Sequence, residues 1–368
     1  MESRKGFDTT ILLLAVVLTC FGVVMVYSSS SIMAEKRYAD GFFFLKRQGI
    51  YAVVGFLIMA AAMRFDYLHL RKLAVPFLLF CVALLAMVLI PGIGSHAGGA
   101  ARWIRLGPVS VQPAELAKLG LVIYMAHSLA KKKEKVKNLA NGFIPYMIVL
   151  ALLLALLLLQ PDLGSAMTLG GVAMIMLLVA GTRLTYLVSI AIIAAPLLYY
   201  AVMTVDYRRR RIMAFLNPWE DPTNTGFQII QSWIAFGTGG LGGNGLGQGK
   251  QKLFFLPEAH TDFIFAVVGE ELGYAGVFVV TAMFLVLILR GIRTSLTAPD
   301  DFGRFLAFGL TLLLGLEAFV NIAVVMGMLP TKGLALPFLS YGGTSLLTTM
   351  LAIGLLLNIS SHAPGEVR

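Results

Sequence analysis

One carboxylate, Asp262, stands where a long polar and glycine-rich segment gives way to a long apolar stretch of the sequence. Glu258, His260 and Thr261 precede it closely, whereas positions 263–268 are all apolar. A carboxylate at such a boundary can lose part of its hydration, which raises its basicity toward that of a useful proton acceptor. The same side chain could instead cap the following helix by accepting backbone N–H groups. Spacing alone leaves both interpretations open.

Cationic side chains in other polar segments are candidates for binding a phosphorylated substrate. Arg102 and Arg105 flank Trp103, an aromatic residue typical of membrane interfaces, and a guanidinium can hold phosphate through two parallel hydrogen bonds. Arg210 belongs to a run of four consecutive arginines, and Lys332 lies in a segment rich in helix-breaking residues. For each of these residues, an ordinary contact with lipid headgroups is the alternative interpretation.

Polar residues at membrane depth form a second group of candidates. Glu115 and Lys118 stand three residues apart near the start of an apolar stretch, a spacing that places them on one helical face. They form either a structural ion pair or the lining of a cavity. Helix breakers and hydroxyls such as Ser340 are tolerated at this depth where they line a cavity.

The segment from Gly237 to Gly249 contains eight glycines and matches the dinucleotide-binding pattern G-x-G-x-x-G twice. A nucleotide site of that type is excluded because no strand precedes the segment. The segment also fails as a phosphate-binding P-loop, because Asn244 stands where a glycine is required and Gln251 follows Lys250. We interpret it as a mobile or tightly turning loop near a substrate, with a simple linker as the alternative.

The elements that position these residues must lie in a membrane. Of the 368 residues, 58% are hydrophobic and only 13% are charged, whereas a soluble domain has roughly 25% charged residues. The net charge of +10 resembles that of a nucleic-acid-binding protein, but basic residues in membrane proteins usually mark cytoplasmic loops, so no nucleic-acid partner is predicted. Cys20 and Cys81 lie in apolar runs and are predicted to be reduced.

The sequence predicts an all-α integral membrane protein with one domain, residues 1–368, and about ten transmembrane helices. If both termini are cytoplasmic, the short inner loops hold about twice as many Lys and Arg residues as the short outer loops, as the positive-inside rule requires. A large extracytoplasmic loop, 204–261, then separates helices seven and eight and places Asp262 on the outer face. The predicted spans are 10–28, 48–63, 73–91, 113–129, 143–160, 164–180, 184–203, 262–289, 303–328 and 338–359.

Five motifs in the same order resemble those of the SEDS family of peptidoglycan glycan-strand polymerases, over nearly the whole chain. Details such as NPWEDP and PEAHTDF are more similar to the cell-division branch of that family than to its elongation or sporulation branches. The one departure is Thr344, where the family more often has serine. The motifs are ARWIRLGPVSVQPAELAKL (101–119), QPDLGSAM (160–167), FLNPWEDPTNTGFQ (215–228), LPEAHTDFIFAVVGEELG (256–273) and MLPTKGLALPFLSYGGTS (328–345).

The resemblance implies a reaction and roles for individual residues. The substrate would be lipid II, joined to an undecaprenyl pyrophosphate-linked glycan by a general-base transfer that releases undecaprenyl pyrophosphate. Asp262 would be the catalytic residue, and Glu115 and Lys118 would form a buried ion pair. The residues expected to bind substrate are Arg102, Arg105, Lys332, Arg210, His260 and Ser340.

The resemblance also implies partners and a location. A class B penicillin-binding protein would cross-link the new strand, alongside other divisome proteins, in the bacterial cytoplasmic (inner) membrane at the division septum. No nucleotide is expected, whereas a divalent cation, Mg²⁺ or Mn²⁺, could assist the departure of pyrophosphate. The alternatives are a lipid II flippase, a scaffold that only docks a partner and, within the family, a polymerase for cell elongation.

Overall fold

The computed structural model describes residues 6–97, 100–107, 109–253 and 255–363. Helices form most of this part of the chain, because a segment in hydrocarbon must satisfy its backbone hydrogen bonds internally. In chain order they are α1 (Thr9–Tyr38), α2 (Phe43–Arg64), α3 (Leu70–Val88), α4 (Pro113–Lys132), α5 (Ile144–Leu159), α6 (Leu163–Val179), α7 (Leu184–Met203), α8 (Asp206–Leu216), α9 (Phe227–Gly239), α10 (Ile264–Leu296), α11 (Asp301–Val325) and α12 (Gly343–Ser361).

Each of the ten predicted spans corresponds to one of these helices, which confirms the predicted fold class. In the described part of the chain, eight helices are long and apolar enough to cross a membrane, namely α1, α2, α3, α5, α7, α10, α11 and α12. The other two are α6, which has 17 residues, and α4, which carries Glu115 and Lys118. Helix α4 packs against α3, α6 and α11 and is buried on most of its surface, so its charged groups face protein.

Helices α1, α10 and α12 meet at one end of the bundle. The backbone N–H of Asp8 donates to Ser360 Oγ (3.0 Å), and the Asp8 carboxylate pairs with Arg290 near the end of α10 (2.7 Å). Asp262 lies just before Ile264, the first residue of α10, whereas Arg290 lies near the other end of that helix. The start of α1 and the end of α12 therefore lie on the same side of the bundle as Arg290. Asp262 lies at the opposite end of the bundle.

A small antiparallel sheet, which the sequence analysis did not predict, lies between α3 and α4. Its strands are β1 (Gly94–Ala97), β2 (Ala100–Leu106) and β3 (Val109–Val111), in the order β1-β2-β3. The register shifts along β2, so that Trp103 pairs with Ser95 but Ala101 pairs with His96. Arg102 is the extra residue at this bulge, a feature that commonly redirects a side chain near a functional site.

Helix α10 is broken at Gly273, which has φ 64° and ψ −166°. A side chain there would collide with the backbone nitrogen of Gly243, so glycine is required by both conformation and space. The break leaves helix carbonyl groups without intrahelical partners. Asn244 N–H donates to the carbonyl of Glu270 (3.0 Å), and Gly245 N–H donates to that of Glu271 (2.9 Å). The glycine-rich segment thus completes the hydrogen bonding of α10.

Candidate active site around Asp262

Asp262 lies in a turn that ends just before α10. The backbone N–H groups of Thr261 and Phe263 both donate to the carbonyl of Glu258 (3.1 and 3.2 Å), which closes the turn. The helix starts at Ile264 with Phe263 as the preceding residue, and no side chain caps it. The interpretation of Asp262 as a helix cap is therefore wrong, because Phe263 occupies the N-cap position and no side chain accepts a hydrogen bond from the first N–H groups of the helix.

The Asp262 carboxylate is enclosed by protein but remains partly accessible. Its Oδ2 faces Gly333, where an added Cβ would lie 3.3 Å away. From the residues that the structure describes, the carboxylate accepts no hydrogen bond, whereas its own backbone carbonyl accepts one from Asn321 Nδ2 (2.9 Å). The turn is thus held by its backbone, and the carboxylate is left available as an acceptor.

Burial raises the pKa of Asp262 to about 7, and the negative charge of Glu258 acts in the same direction. The guanidinium groups of Arg211 and Arg102 oppose this rise, and the carboxylate of Asp162 adds to it. The pKa of the carboxyl group is therefore brought close to neutral pH, which suits a residue that must accept a proton during a reaction.

Arg102 reaches this site from the bulge in β2. Its Nε donates to the carbonyl of Gln160 (3.5 Å) and its Nη2 donates to that of Pro161. These contacts hold the guanidinium next to the start of α6, close enough to act on Asp262. Arg105, three residues further on, is exposed. Of the two predicted arginines, the structure brings Arg102 to the carboxylate.

The run of four arginines lies in α8, and a shift of one position along the helix changes where the side chain points. Arg210 is exposed, whereas Arg211 is partly buried and its Nη1 donates to the carbonyl of Thr331 (3.0 Å). Successive residues differ by about 100° around a helix, so neighbours in the run point in different directions. Arg210 was predicted to bind substrate, but it is Arg211 that reaches the loop beside Asp262.

Lys332 follows Thr331 in that same loop. Its Nζ lies 2.7 Å from Met167 Sδ on α6, and burial lowers the pKa of the ammonium group. A thioether is a weak acceptor and leaves the charge uncompensated. Lys332 is thus suited to receive an anionic group of a substrate.

His260 and Ser340 support the turn from its other side. Ser340 Oγ donates to the carbonyl of Thr261 (2.6 Å), and the N–H of Tyr341 donates to that of His260 (2.9 Å). The His260 ring packs against Phe44, with 4.7 Å between ring centroids. Both residues were predicted to bind substrate, and the contacts that the structure shows for them hold the turn of Asp262 in place.

Glu115 and Lys118 pair in the bundle at 2.8 Å, and a third residue joins them. Glu317 on α11 contacts the same Lys118 ammonium group, and all three side chains are buried. The sequence analysis missed Glu317, although an acid in the middle of a predicted span was a usable signal. Two carboxylates around one ammonium group tie α4 to α11.

Glu270 and Glu271 anchor the glycine-rich segment. Glu270 accepts hydrogen bonds from the N–H of Lys250 (2.7 Å), and Glu271 accepts one from the N–H of Gly247 (3.0 Å). Glu271 also pairs with the buried ammonium group of Lys252 (2.7 Å). The segment turns tightly, as one interpretation predicted, and these contacts fix it to α10.

The residues near Asp262 do not fit a resident metal ion. Across the described ranges, no three His, Cys, Asp or Glu side chains are placed to share a metal. Of the two other carboxylates that act on Asp262, Glu258 is exposed, and Asp162 accepts hydrogen bonds from the N–H of Ser165 (3.1 Å) and its hydroxyl (2.8 Å). The positive charge at this site comes from Arg102, Arg211 and Lys332.

Comparison with known proteins gives consistent matches over the whole chain. The family model of the cell cycle proteins FtsW, RodA and SpoVE matches residues 8–364. A Geobacter metallireducens protein named "Probable peptidoglycan glycosyltransferase FtsW" is 64% identical over 365 residues, which cover 99% of this chain and 97% of that protein. The "Stage V sporulation protein E" of Bacillus subtilis is 41% identical over 356 residues, or 97% of each chain.

Solved structures agree with these sequence matches. One, described as "Structural coordination of polymerization and crosslinking by a peptidoglycan synthase complex", has a TM-score of 0.78 and 30% identity over 96% of this chain and 97% of that one. The crystal structure of the rod shape determining protein RodA of Thermus thermophilus has a TM-score of 0.71 and 27% identity over 98% of each chain.

Proposed function

The chain belongs to the FtsW, RodA and SpoVE family of cell cycle proteins, and from this membership we propose that it polymerises lipid II with Asp262 as the general base. It is a multi-pass membrane protein, and its most similar relatives in the comparison are named peptidoglycan glycosyltransferases. The observation that carries the assignment of Asp262 is its combination of partial exposure, raised pKa and lack of a protein hydrogen-bond donor in the described chain.

The reaction joins the 4-hydroxyl of N-acetylglucosamine in lipid II to the lipid-linked end of the growing strand. The hydroxyl oxygen forms a bond to the anomeric carbon as the bond from that carbon to the pyrophosphate oxygen breaks. Asp262 takes the hydroxyl proton, and the leaving pyrophosphate keeps the electron pair. A sugar hydroxyl is a poor nucleophile, so a positioned base accelerates the step by about 10²–10⁴-fold.

The pyrophosphate gains negative charge as it leaves, and cations stabilise that charge. Arg102 and Arg211 already lie close enough to influence Asp262, and Lys332 belongs to the loop against which the carboxylate packs. A divalent cation, Mg²⁺ or Mn²⁺, would arrive with the pyrophosphate, since the described residues provide no metal-ligand cluster. Arg105 and Arg210 are assigned to headgroup or distal phosphate contacts.

The site requires that Asp262 face the outside of the cell, where glycan strands are assembled. Both termini are then cytoplasmic, in agreement with the distribution of Lys and Arg among the short loops. We place the protein at the division septum because relatives that match nearly the whole chain are named FtsW. Its partner is a class B penicillin-binding protein, by analogy with the solved complex that couples polymerization to crosslinking.

The decisive experiment compares the wild-type chain with Asp262→Asn, purified in detergent and given fluorescent lipid II with and without the transpeptidase partner. The substitution preserves side-chain size but removes the base, so glycan products should fall by about 10²-fold or more. Polymerisation by Asp262→Asn at close to the wild-type rate would show that the assignment is wrong. Lipid II translocation in vesicles without polymerisation by the wild type would favour the flippase alternative.

A further inference from the structure

Asn321 on α11 connects the turn of Asp262 to the loop that carries Lys332. Its side chain is 2% exposed, and its Nδ2 donates to the carbonyl of Asp262 (2.9 Å) and to that of Leu334 (2.6 Å). Both partners are acceptors, so the amide nitrogen must face them and the orientation of the amide is fixed. One side chain thus holds two segments that are far apart in sequence.

The two segments carry the base and the cations of the proposed reaction. Gly333 packs against Asp262 Oδ2, and the carbonyl of Thr331 receives the guanidinium of Arg211. Lys332 lies between these two residues. The separation between the carboxylate and its cations therefore depends on how closely the 331–334 loop is held to the turn of Asp262.

An ion pair between Glu317 on α11 and Lys118 on α4 holds α11 in position against α4. Glu317 lies four residues before Asn321, one helical turn away on the same face. Its contact with Lys118 fixes the rotation and height of α11 against α4. Asn321 is therefore a rigid point from which the outer site can be positioned.

We propose that Asn321 is a positioning residue of the polymerase site, which sets the distance between Asp262 and the cationic loop through its two hydrogen bonds. This inference rests on the proposed function of Asp262. A displacement of about 1 Å in a catalytic arrangement can cost 10²-fold in rate. Loss of the Asn321 amide should therefore reduce turnover although Asn321 does not touch the substrate.

The effect should also appear in the pH profile. The charged groups that act on Asp262 are Glu258 in its own turn, Arg211 on α8, Arg102 on β2 and Asp162 at the start of α6. Two further basic groups lie nearby. Lys332 is in the 331–334 loop that Asn321 holds, and His260, whose pKa burial lowers, is in the turn of Asp262. If the loop relaxes, water reaches the Asp262 carboxylate and its burial decreases. Burial is the largest cause of the raised pKa and outweighs the smaller, opposite effect of moving Arg211 away. The pKa of Asp262 should therefore fall, and the acid limb of activity should move to lower pH.

The test compares Asn321→Ala with Asn358→Ala. Asn358 is a matched control, because it is also buried and makes two hydrogen bonds, to Met63 and Tyr67, at the opposite end of the bundle. Polymerisation of lipid II per folded molecule should fall by about 10- to 100-fold in Asn321→Ala, with the acid limb of the profile at lower pH. Asn358→Ala should keep the wild-type rate and profile.

A second variant, Asn321→Ser, keeps one donor and should recover part of the rate, which also protects the test if Asn321→Ala does not fold. A wild-type rate and pH profile per folded molecule in Asn321→Ala, or in Asn321→Ser if only that variant folds, would overturn the proposal. The result is separable from the proposed function, because Asp262→Asn should remain inactive at every pH, whereas the Asn321 variants should keep a reduced activity whose acid limb is displaced from that of the wild type.

Discussion

The carboxylate of Asp262 and those of Glu270 and Glu271 lie close together in sequence around the start of α10, and their surroundings differ sharply. Glu270 and Glu271 are fully buried and accept hydrogen bonds from backbone N–H groups of the glycine-rich segment. Glu271 also receives the hydroxyl of Ser28 and the ammonium group of Lys252. Asp262 is partly accessible and accepts none of these bonds from the part of the chain that the structure describes.

The difference separates structural acids from the proposed catalytic one. A buried ionised carboxylate is tolerated when donors replace the water that it loses, and it then stabilises the fold around it. A desolvated carboxylate without donors is costly, and such groups are concentrated at functional sites. The hydrogen-bond donors around each carboxylate, and not its position in the sequence, therefore indicate its role.

Of the substitutions that test this difference, Glu271→Ala should have the largest effect, a loss of stability. It leaves the Lys252 ammonium group buried without its partner, and removal of one member of a buried pair costs about 3–5 kcal/mol of the free energy of unfolding. Denaturant unfolding in detergent measures the loss. Asp40→Ala, which breaks the exposed pair between Asp40 and Lys46, is the control and should change stability little. Equal losses in the two variants would contradict the distinction.

Asp262→Asn should act in the opposite direction on stability. Because folding raises the pKa of Asp262 from 3.8 to about 7, the folded state binds the proton more tightly than the unfolded state. The wild-type chain therefore loses stability as the pH rises from about 4 through about 7. Asp262→Asn should be more stable than the wild type by on the order of 1–2 kcal/mol at pH 8, after allowance for partial exposure.

The measurement is thermal unfolding of both proteins at pH 4 and pH 8. The gain in Asp262→Asn should be small at pH 4, where the folded wild-type carboxyl is protonated and the unfolded one is only about half ionised. A gain that does not change with pH would point to improved packing and not to the removal of a desolvated charge.

The helical framework was predictable because membrane insertion imposes a local signal. About 20 apolar residues are needed per span wherever the segment lies in the bundle, so each helix could be identified without its neighbours. Asp262 stood out as a charge at the end of an apolar stretch, and Arg102 and Lys332 stood out as cations in the polar segments between such stretches. Their positions in the structure agree with a common site.

The remaining features depend on contacts between distant segments. The choice of Arg211 over Arg210 depends on the rotation of α8, and the bulge at Arg102 depends on pairing with β1. The break in α10 depends on one glycine, Gly273, among many in the region. Asn321 was visible as a polar residue in a span, but only the fold shows that it binds the backbone of Asp262.

Glu258→Gln should produce the smallest effect and the most specific one. The negative charge of Glu258 raises the pKa of Asp262, so its removal should lower that pKa and move the acid limb of polymerase activity down from about 7. Because Glu258 is exposed, solvent and salt screen its charge, and the shift should be a few tenths of a pH unit that shrinks at high ionic strength. Activity measured across the pH range at low and high salt tests this.

Glu220→Gln is the control, because it removes an exposed charge from the same outer loop but not one that acts on Asp262. Its pH profile should match that of the wild type. An equal shift in both variants would mean that the net charge of the protein, and not the local charge at Asp262, sets the acid limb.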